Sequence, residues 1–500
     1  MEAYLLGLDI GTSGTKAVLL RTDGKECLET AEYPYPLAGE KPGWAQQQPA
    51  LWWDAACMCL REAAAMAGDK KIAAIGITGQ MHSVVLLDET GGVLCDSLLW
   101  CDQRSEKEAA GMTALVGDMR ISEITGSLPN TGFSAAKLLW IRNNWADIFE
   151  KTATVLLAKD YIRYRLTGRL GTEQTDATGT QLFDIAESRW SDELCECLMI
   201  KKNLLPPVME SVQIAGTLTK EAARACGLAP GIPVAAGAGD TAAAAVGNGI
   251  VSRGKVCVTL GSSGVVLAFL DRPAPDQKHR IHTKCHAMTG AWEALGVTQS
   301  AALSMKWLVE TIFEDKTPNR FQEYSSLAET VPALSEGLVF LPYLMGERSP
   351  HMDPYARGAF IGFATKHTRA HMVRSVMEGV CYSLKECLDA VEELSGKASE
   401  IRLAGGGARS MLWARIAADV FGRDLILSYS SNASALGAAL IAGVSAGVYR
   451  DIPQAAGIPV FPLREMKYSR ERAELYRKGY GLYRSFYPML KEKFRELGAI

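Results

Sequence analysis

One pattern, used twice, constrains this 500-residue chain more than any other. Residues 4–20 run Tyr-Leu-Leu-Gly-Leu-Asp-Ile-Gly-Thr-Ser-Gly-Thr-Lys-Ala-Val-Leu-Leu: an apolar stretch, a turn of glycine, threonine and serine, then a second apolar stretch. Residues 255–270, Lys-Val-Cys-Val-Thr-Leu-Gly-Ser-Ser-Gly-Val-Val-Leu-Ala-Phe-Leu, repeat it about halfway along. Each predicts two strands joined by a tight, hydroxyl-rich turn. Such a turn offers backbone N–H groups with no Cβ in the way, which suits a phosphate or another polyanion. One hairpin per half predicts two related domains holding a polyphosphate between them, and a chain of this length exceeds a single hydrophobic core. The expected division lies at the glycine-punctuated stretch Gly247–Gly254, giving domains of residues 1–246 and 247–500.

A formal net charge of −3 offers no general basic surface for nucleic acid or anionic lipid. The run Val234–Val246 is interrupted by Asp240 and is too short to span a bilayer. The N-terminal residues lack the basic segment of a leader, so a cytoplasmic location is expected. Twelve scattered cysteines, with no Cys-x-x-Cys, read as reduced structural thiols. Hydrophobic periodicity predicts strands at 3–10, 15–21 and 26–35, a helix over Pro49–Ala67 and a strand over Ile72–Thr78. Val84–Leu87 and Leu94–Leu99 predict a hairpin, 103–168 a largely helical region, and Thr172–Thr180 a polar loop. In the second half, helices are expected over Arg369–Leu394, Met411–Phe421 and Ala433–Ala446, with a strand from Ile401 running into a glycine loop. An amphipathic helix pair is expected over 469–497. Meander, helix, strand and glycine loop therefore recur, which implies a duplicated α/β architecture with a cleft between the copies.

The turns match neither Gly-x-x-x-x-Gly-Lys-[Ser/Thr] nor a Gly-x-Gly-x-x-Gly placed between strand and helix, which disfavours P-loop and dinucleotide-binding folds. What stands instead is Asp9-x-Gly11-Thr12-Ser13-x-x-Lys16 and Thr259-x-Gly261-Ser262-Ser263-Gly264. Asp240 ends an apolar strand and opens an alanine-rich helix, where the helix dipole favours an ionised carboxylate able to accept a proton. A plain N-cap aspartate is the alternative, and the two roles are compatible. Asp9 follows a strand and precedes the first turn, where it reads as the organiser of its own Asx-turn. Lys16 reads almost equally as a solvated strand lysine, and a lone His82 at a strand end as a structural histidine. Gly405-Gly406-Gly407 lets backbone approach a flat group or a phosphate more closely than a helix-entry turn requires. His282-x-x-Cys285-His286 has metal-ligand spacing, but it lacks a fourth ligand and has strand-like neighbours, so a metal site is disfavoured.

Several blocks in order carry a family resemblance: Leu8-Asp-Ile-Gly-Thr-Ser, Gly79-Gln-Met-His, Leu99-Trp-Cys-Asp-Gln-Arg104, Gly132-Phe-Ser-Ala-Ala-Lys-Leu-Leu-Trp140, Lys159-Asp-Tyr161, Gly237-Ala-Gly-Asp-Thr241, Gly346-Glu-Arg-Ser-Pro350 and Gly405-Gly-Gly-Ala-Arg-Ser410. The chain resembles the sugar-kinase/actin/heat-shock-70 ATPases and, within them, the FGGY carbohydrate kinases. It is most similar to the xylulokinase branch through Gln80-Met81-His82 and Gly132-Phe133-Ser134. The resemblance implies two RNase H-like domains, the first on the sugar side and the second on the nucleotide side. It also implies ATP with Mg²⁺ and transfer to a sugar hydroxyl, with the 5-hydroxyl of D-xylulose as acceptor. Asp240 is then the base, and Asp9 and Asp240 position Mg²⁺ through water. Met81, His82, Trp100, Asp102, Asp240 and Thr241 are implied on the sugar. Gly11, Thr12, Ser13, Lys16, Thr259, Gly261, Ser262 and Ser263 are implied on the phosphates, and Gly405, Gly406, Gly407 and Ala408 on the adenosine. Thr241 departs from the asparagine common in that branch, so gluconate or another linear polyol competes as acceptor; Ser262 stands where threonine is common but keeps the hydroxyl. Asn432 stands where many relatives carry glutamate, and its role stays open. An actin-like ATP-binding protein without catalysis and a sugar sensor are readings from other classes. The partners expected are ATP and a small sugar, with a homodimer left open.

Overall fold

The computed structural model describes residues 3–428, 432–458 and 463–498. Strands β1 (Ala3–Ile10) and β2 (Gly14–Arg21) form the first hairpin, with Asp9 directly opposite Lys16. From Tyr4 to Ile10 every residue of β1 is buried, the continuous apolar run of a strand covered on both faces. Strand β3 (Cys27–Glu29) extends the meander beside β2. Helix α1 (Pro49–Ala67) begins with proline in its first turn and buries Trp52, Ala56, Cys59, Leu60 and Ala63 on one side. Strand β4 (Lys71–Gly79) then runs parallel to β1. After a long insertion come α2 (Lys220–Cys226) and two short strands parallel to β4, β5 (Pro233–Ala235) and β6 (Ala238–Gly239). Helix α3 (Asp240–Gly247) follows at once.

The second half repeats the plan. Strands β7 (Lys255–Leu260) and β8 (Gly264–Leu270) form its hairpin; β9 (His282–Cys285) and β10 (Trp292–Thr298) continue it antiparallel. Helix α4 (Arg369–Ser395) leads to β11 (Glu400–Ala404), parallel to β7. Helix α5 (Met411–Phe421), strand β12 (Leu425–Leu427), parallel to β11, and helix α6 (Ala433–Ser445) complete the series. Hairpin, third strand, helix, parallel strand, helix, parallel strand, helix: the order is the same in both halves, and the fold is the duplicated α/β architecture expected. The insertion between β4 and α2 carries its own core, in which Val84, Leu86, Leu98, Met112 and Ile141 are buried together.

Helix α6 belongs to the second half in sequence yet lies on the first sheet. A Cβ on Gly7 of β1 or Gly76 of β4 would sit 1.9 Å from the carbonyl oxygens of Ala435 and Ala438. A Cβ on Gly437 would sit 1.8 Å from the carbonyl oxygen of Ala243 in α3. Helix α6 touches both the sheet and α3 backbone to backbone, which is why these segments are written in glycine and alanine.

Some local expectations change. The strand expected over 26–35 divides into Cys27–Glu29 and Tyr33–Pro34. Strand Thr154–Leu157 lies inside the region expected to be helical and pairs with Val84–Leu87 along its length. Thr172–Thr180 is no open loop: it holds the buried helix Gln174–Thr178, whose first N–H groups bond the carboxylate of Glu173. The C-terminal helix pair is one helix, Arg470–Leu497, running through Pro488. The twelve cysteines are free thiols. Among the described residues no helix is long and apolar enough to cross a membrane.

Candidate active site

Strands β1, β4 and β6 are parallel and end side by side, and the carboxyl ends of parallel strands are where an α/β sheet leaves room for ligands. Asp9 lies one residue from the end of β1, beside Thr78, and Asp240 follows β6 as the first residue of α3. Asp9 is only 7% exposed, and its Oδ1 has no hydrogen-bond partner among the described residues. Burial pushes its carboxyl up to about 7; Lys16 opposes the rise, while Asp240 and Glu32 add to it. The N-cap of α3 is Gly239, so Asp240 is not the cap. Its Oδ1 accepts the Thr241 N–H at 2.6 Å and the Thr241 hydroxyl at 3.1 Å. Burial raises the Asp240 carboxyl above the usual carboxylate range, against the Thr241 bonds and the Lys284 ammonium. The helix dipole expected to dominate is thus outweighed by desolvation, which moves the group toward the pKa of a useful general base.

Met81 and His82 follow β4 directly. A Cβ on Gly239 would fall 2.8–3.0 Å from the Met81 side chain, so the thioether lies against the backbone that carries Asp240. His82 adopts the left-handed conformation, φ 70°. The contact of its Nδ1 with the Gly179 carbonyl, 2.8 Å, makes Nδ1–H the donor and leaves Nε2 as an acceptor. Burial, Lys284 and Lys137 hold the ring's pKa well below the ordinary value, so it is neutral. Trp100 donates from Nε1 to the Thr12 hydroxyl at 2.9 Å, and Thr12 donates to Gln80 Oε1 at 3.3 Å. The first hairpin turn and the Gln80-Met81-His82 segment are therefore one bonded unit. Within that turn the Gly11 N–H bonds the Gly14 carbonyl, and Ser13 is exposed and bonds Glu32.

Asp102 corrects the expectation of a sugar ligand. It is fully buried; its carboxylate accepts the Ala45 N–H at 2.6 Å and pairs with Arg104 at 2.8 Å, so it braces its own loop. The Thr241 hydroxyl is likewise engaged by Asp240.

In the second half, Thr259 pairs with Ala404 at the end of β11, which brings the second turn against the glycine loop. Gly405 has φ 90°, and a Cβ there would lie 2.7 Å from the Leu260 carbonyl. The Gly261 and Ser262 carbonyls accept N–H groups from Ala302 and Ala301, pinning the turn containing Ser263 to helix Ala302–Trp307. A cavity of about 790 Å³ opens beside this turn, lined by Ser262, Gly406, Gly407, Ser325, Met377 and Trp413. Its size and mixed lining suit a purine nucleoside. Ala408 does not line it: at 1% exposure it packs into the core of the second domain. Asn432 precedes α6, its carbonyl accepting the Leu436 N–H. His282 contacts Ser127 Oγ and His286 the Ile250 carbonyl, so the two rings serve separate partners.

Two parts of the site received no role from the sequence, although Lys159 and Asp160 stand in one of its family-like blocks. Lys159, Asp160, Arg163, Glu173 and Asp176 form a fully buried ion network, with Lys159 Nζ 2.7 Å from Asp160 and 3.1 Å from Asp176. Thr175 joins it to the site: its hydroxyl donates to Glu173 and accepts the Gly239 N–H at 2.8 Å, fixing the residue before Asp240. Lys284 on β9 reaches His82, and its signal was a lysine between buried neighbours in a segment weighed only for metal.

Residues 4–247 match the N-terminal domain of the FGGY family of carbohydrate kinases, and residues 256–446 its C-terminal domain. The chain is 33% identical to a xylulose kinase of Bacillus subtilis, covering 98% of this chain and 97% of that one. It is 35% identical to a xylulose kinase of Escherichia coli, covering 92% and 93%. The crystal structure of a ligand-bound xylulose kinase from Lactobacillus acidophilus superposes with a TM-score of 0.93 at 27% identity, covering 99% of this chain and all of that one; a gluconate kinase from the same organism gives the same values. With matching domains over both halves and curated relatives of this identity over nearly its whole length, the chain belongs to the FGGY family of carbohydrate kinases.

Proposed function

We propose that this chain transfers the γ-phosphoryl group of ATP to the 5-hydroxyl of D-xylulose. One observation carries the reading: a half-buried carboxylate, Asp240, with one oxygen held by Thr241 and the other open, stands at the parallel strand ends near Asp9. The Asp240 oxygen that Thr241 leaves open is the base for the acceptor hydroxyl as that oxygen attacks the phosphorus. Met81 and neutral His82 line the acceptor side. The two hairpin turns supply N–H groups to the phosphates, and the cavity beside Gly406 and Gly407 takes the adenosine.

Mg²⁺ belongs to this proposal. The buried Asp9 carboxylate with an unpartnered oxygen fits a cation that retains most of its water, and Asp9 and Asp240 would hold it. When bound, it neutralises phosphate charge. The chain's own residues position the acceptor, hold its proton at Asp240 and exclude water, so that transfer to a sugar outruns ATP hydrolysis. In this reading residues 1–246 form the sugar side, residues 247–500 the nucleotide side, and the enzyme works in the cytoplasm.

The resemblance to a gluconate kinase structure supports a second reading, with gluconate as acceptor. A coupled ADP-release assay over D-xylulose, D-ribulose, gluconate, glycerol and erythritol separates the two. The highest kcat/KM is expected for D-xylulose; a clear preference for gluconate selects the second reading, and no turnover refutes both.

A further inference from the structure

Lys284 has no role in the chemistry above, yet it is among the most unusually placed side chains in the molecule. It sits on β9, in the second half of the chain, and is 4% exposed. Its ammonium points out of its own sheet into the first domain's acceptor site, 3.5 Å from His82 Nε2 and 5.7 Å from the centre of the Phe133 ring. Because His82 Nδ1–H is committed to Gly179, Nε2 faces Lys284 as an acceptor, and the ring cannot take up the ammonium's charge. Among the described residues no carboxylate oxygen comes within 4.0 Å of Lys284 Nζ. A buried ammonium has three N–H donors to satisfy, and a single 3.5 Å contact leaves donors for something else.

We propose that Lys284 is a specificity-determining residue of the acceptor site, its ammonium donating a hydrogen bond to a carbonyl or hydroxyl oxygen of the acceptor sugar in the space shared with His82 and Asp240. This rests on the kinase reading given above. It makes the second half of the chain a sugar ligand and not solely a nucleotide clamp, so domain approach and sugar recognition become one event. The titratable and charged groups facing Lys284 come from every neighbouring element: Glu293 directly across β10, Arg348 from the loop at 346–350, Asp240 from α3, Asp176 from helix Gln174–Thr178 and the neutral His82 from the end of β4. Arg348 in turn lies 3.4 Å from His282 Nε2, whose Nδ1 contacts Ser127, so the cationic side of the pocket is built from both halves. Burial lowers the Lys284 ammonium to about 8, against Glu293 and Asp240.

The test compares wild type with Lys284→Met and Lys284→Arg in the ADP-release assay, with D-xylulose and its mono-deoxy analogues as acceptors. Lys284→Met is expected to raise the acceptor KM on the order of tenfold to a hundredfold, as for a lost charged hydrogen bond, with the ATP KM within about twofold. Lys284→Arg should recover much of the loss. One deoxy analogue should abolish the difference between wild type and Lys284→Met, identifying the oxygen contacted. If Lys284→Met does not fold, Lys284→Gln is read in its place, with the thermal midpoint as control. An unchanged acceptor KM, or a loss equal for every analogue, overturns the role of Lys284 while leaving the kinase reading standing. A wild-type protein that turns over no sugar removes both.

Discussion

Asp9 is the clearest place where function and stability pull apart. Its carboxyl is buried, one oxygen is unpartnered, and its pKa lies near 7 against an ordinary value of 3.8. A carboxyl raised in this way binds its proton more tightly folded than unfolded, so folding stability falls as pH rises from about 4 to 7 and is level above that. Relative to acid pH, the stability lost through this group is on the order of 4 kcal/mol above pH 7 and about 2 kcal/mol at pH 5, where the folded carboxyl still holds its proton. Asp9→Asn keeps the shape and removes the charge. In the absence of nucleotide and with a chelator present, the variant should be more stable than wild type, by a margin that is small at pH 4 and widens up to pH 7. For a domain of this size the margin at pH 8 corresponds to roughly 10 °C in the first unfolding transition. Scanning calorimetry in buffers from pH 4 to 8 reads it, and the same variant should lose most of its phosphoryl transfer. A gap that does not change with pH, or a variant less stable than wild type at pH 8, would refute the burial argument.

Four further outcomes follow from named contacts. Asp240→Asn should lower kcat on the order of a hundredfold or more in steady-state assays without lowering the thermal midpoint, since it removes a partly desolvated charge along with the base. Gly405→Ala forces a Cβ into the Leu260 carbonyl at φ 90°, and should raise the ATP KM at least several-fold while the acceptor KM stays close to wild type. Gly437→Val drives a side chain into the Ala243 carbonyl at the α3–α6 contact, where backbone meets backbone; a loss above about 3 kcal/mol is expected in chemical denaturation. His82 should stay neutral throughout the working range, so its ring carbon resonance in labelled protein should show no titration between pH 5.5 and 8.

What was legible in the sequence was what the backbone must do locally. The two hairpins, Asp9, Asp240 and the three glycines are read correctly as strand ends and turns because tight turns and parallel-strand ends need those residue types where they stand. Direction was not legible. Asp102 and Ala408 sit within motifs and face away from the cleft, one tied to Arg104 and the other packed in a core, because neighbours in sequence need not share a face. Thr172–Thr180 looked like a loop by polarity, but polarity marks a buried helix equally well when its charges find partners, as Glu173 and Lys159 do. Lys284 was the hardest case. Its place depends on β9 pairing with β10 and on that sheet meeting the insertion of the other half at Gly126 and Ser127, two long-range contacts that no window of sequence contains. The same reasoning says where else to look in such a chain. A cation inside an apolar strand, with no carboxylate in its own window, must be answered from elsewhere in the fold or by a ligand, and here, among the described residues, the contact within hydrogen-bond reach is a neutral imidazole at 3.5 Å, with Glu293 across β10 acting from farther away.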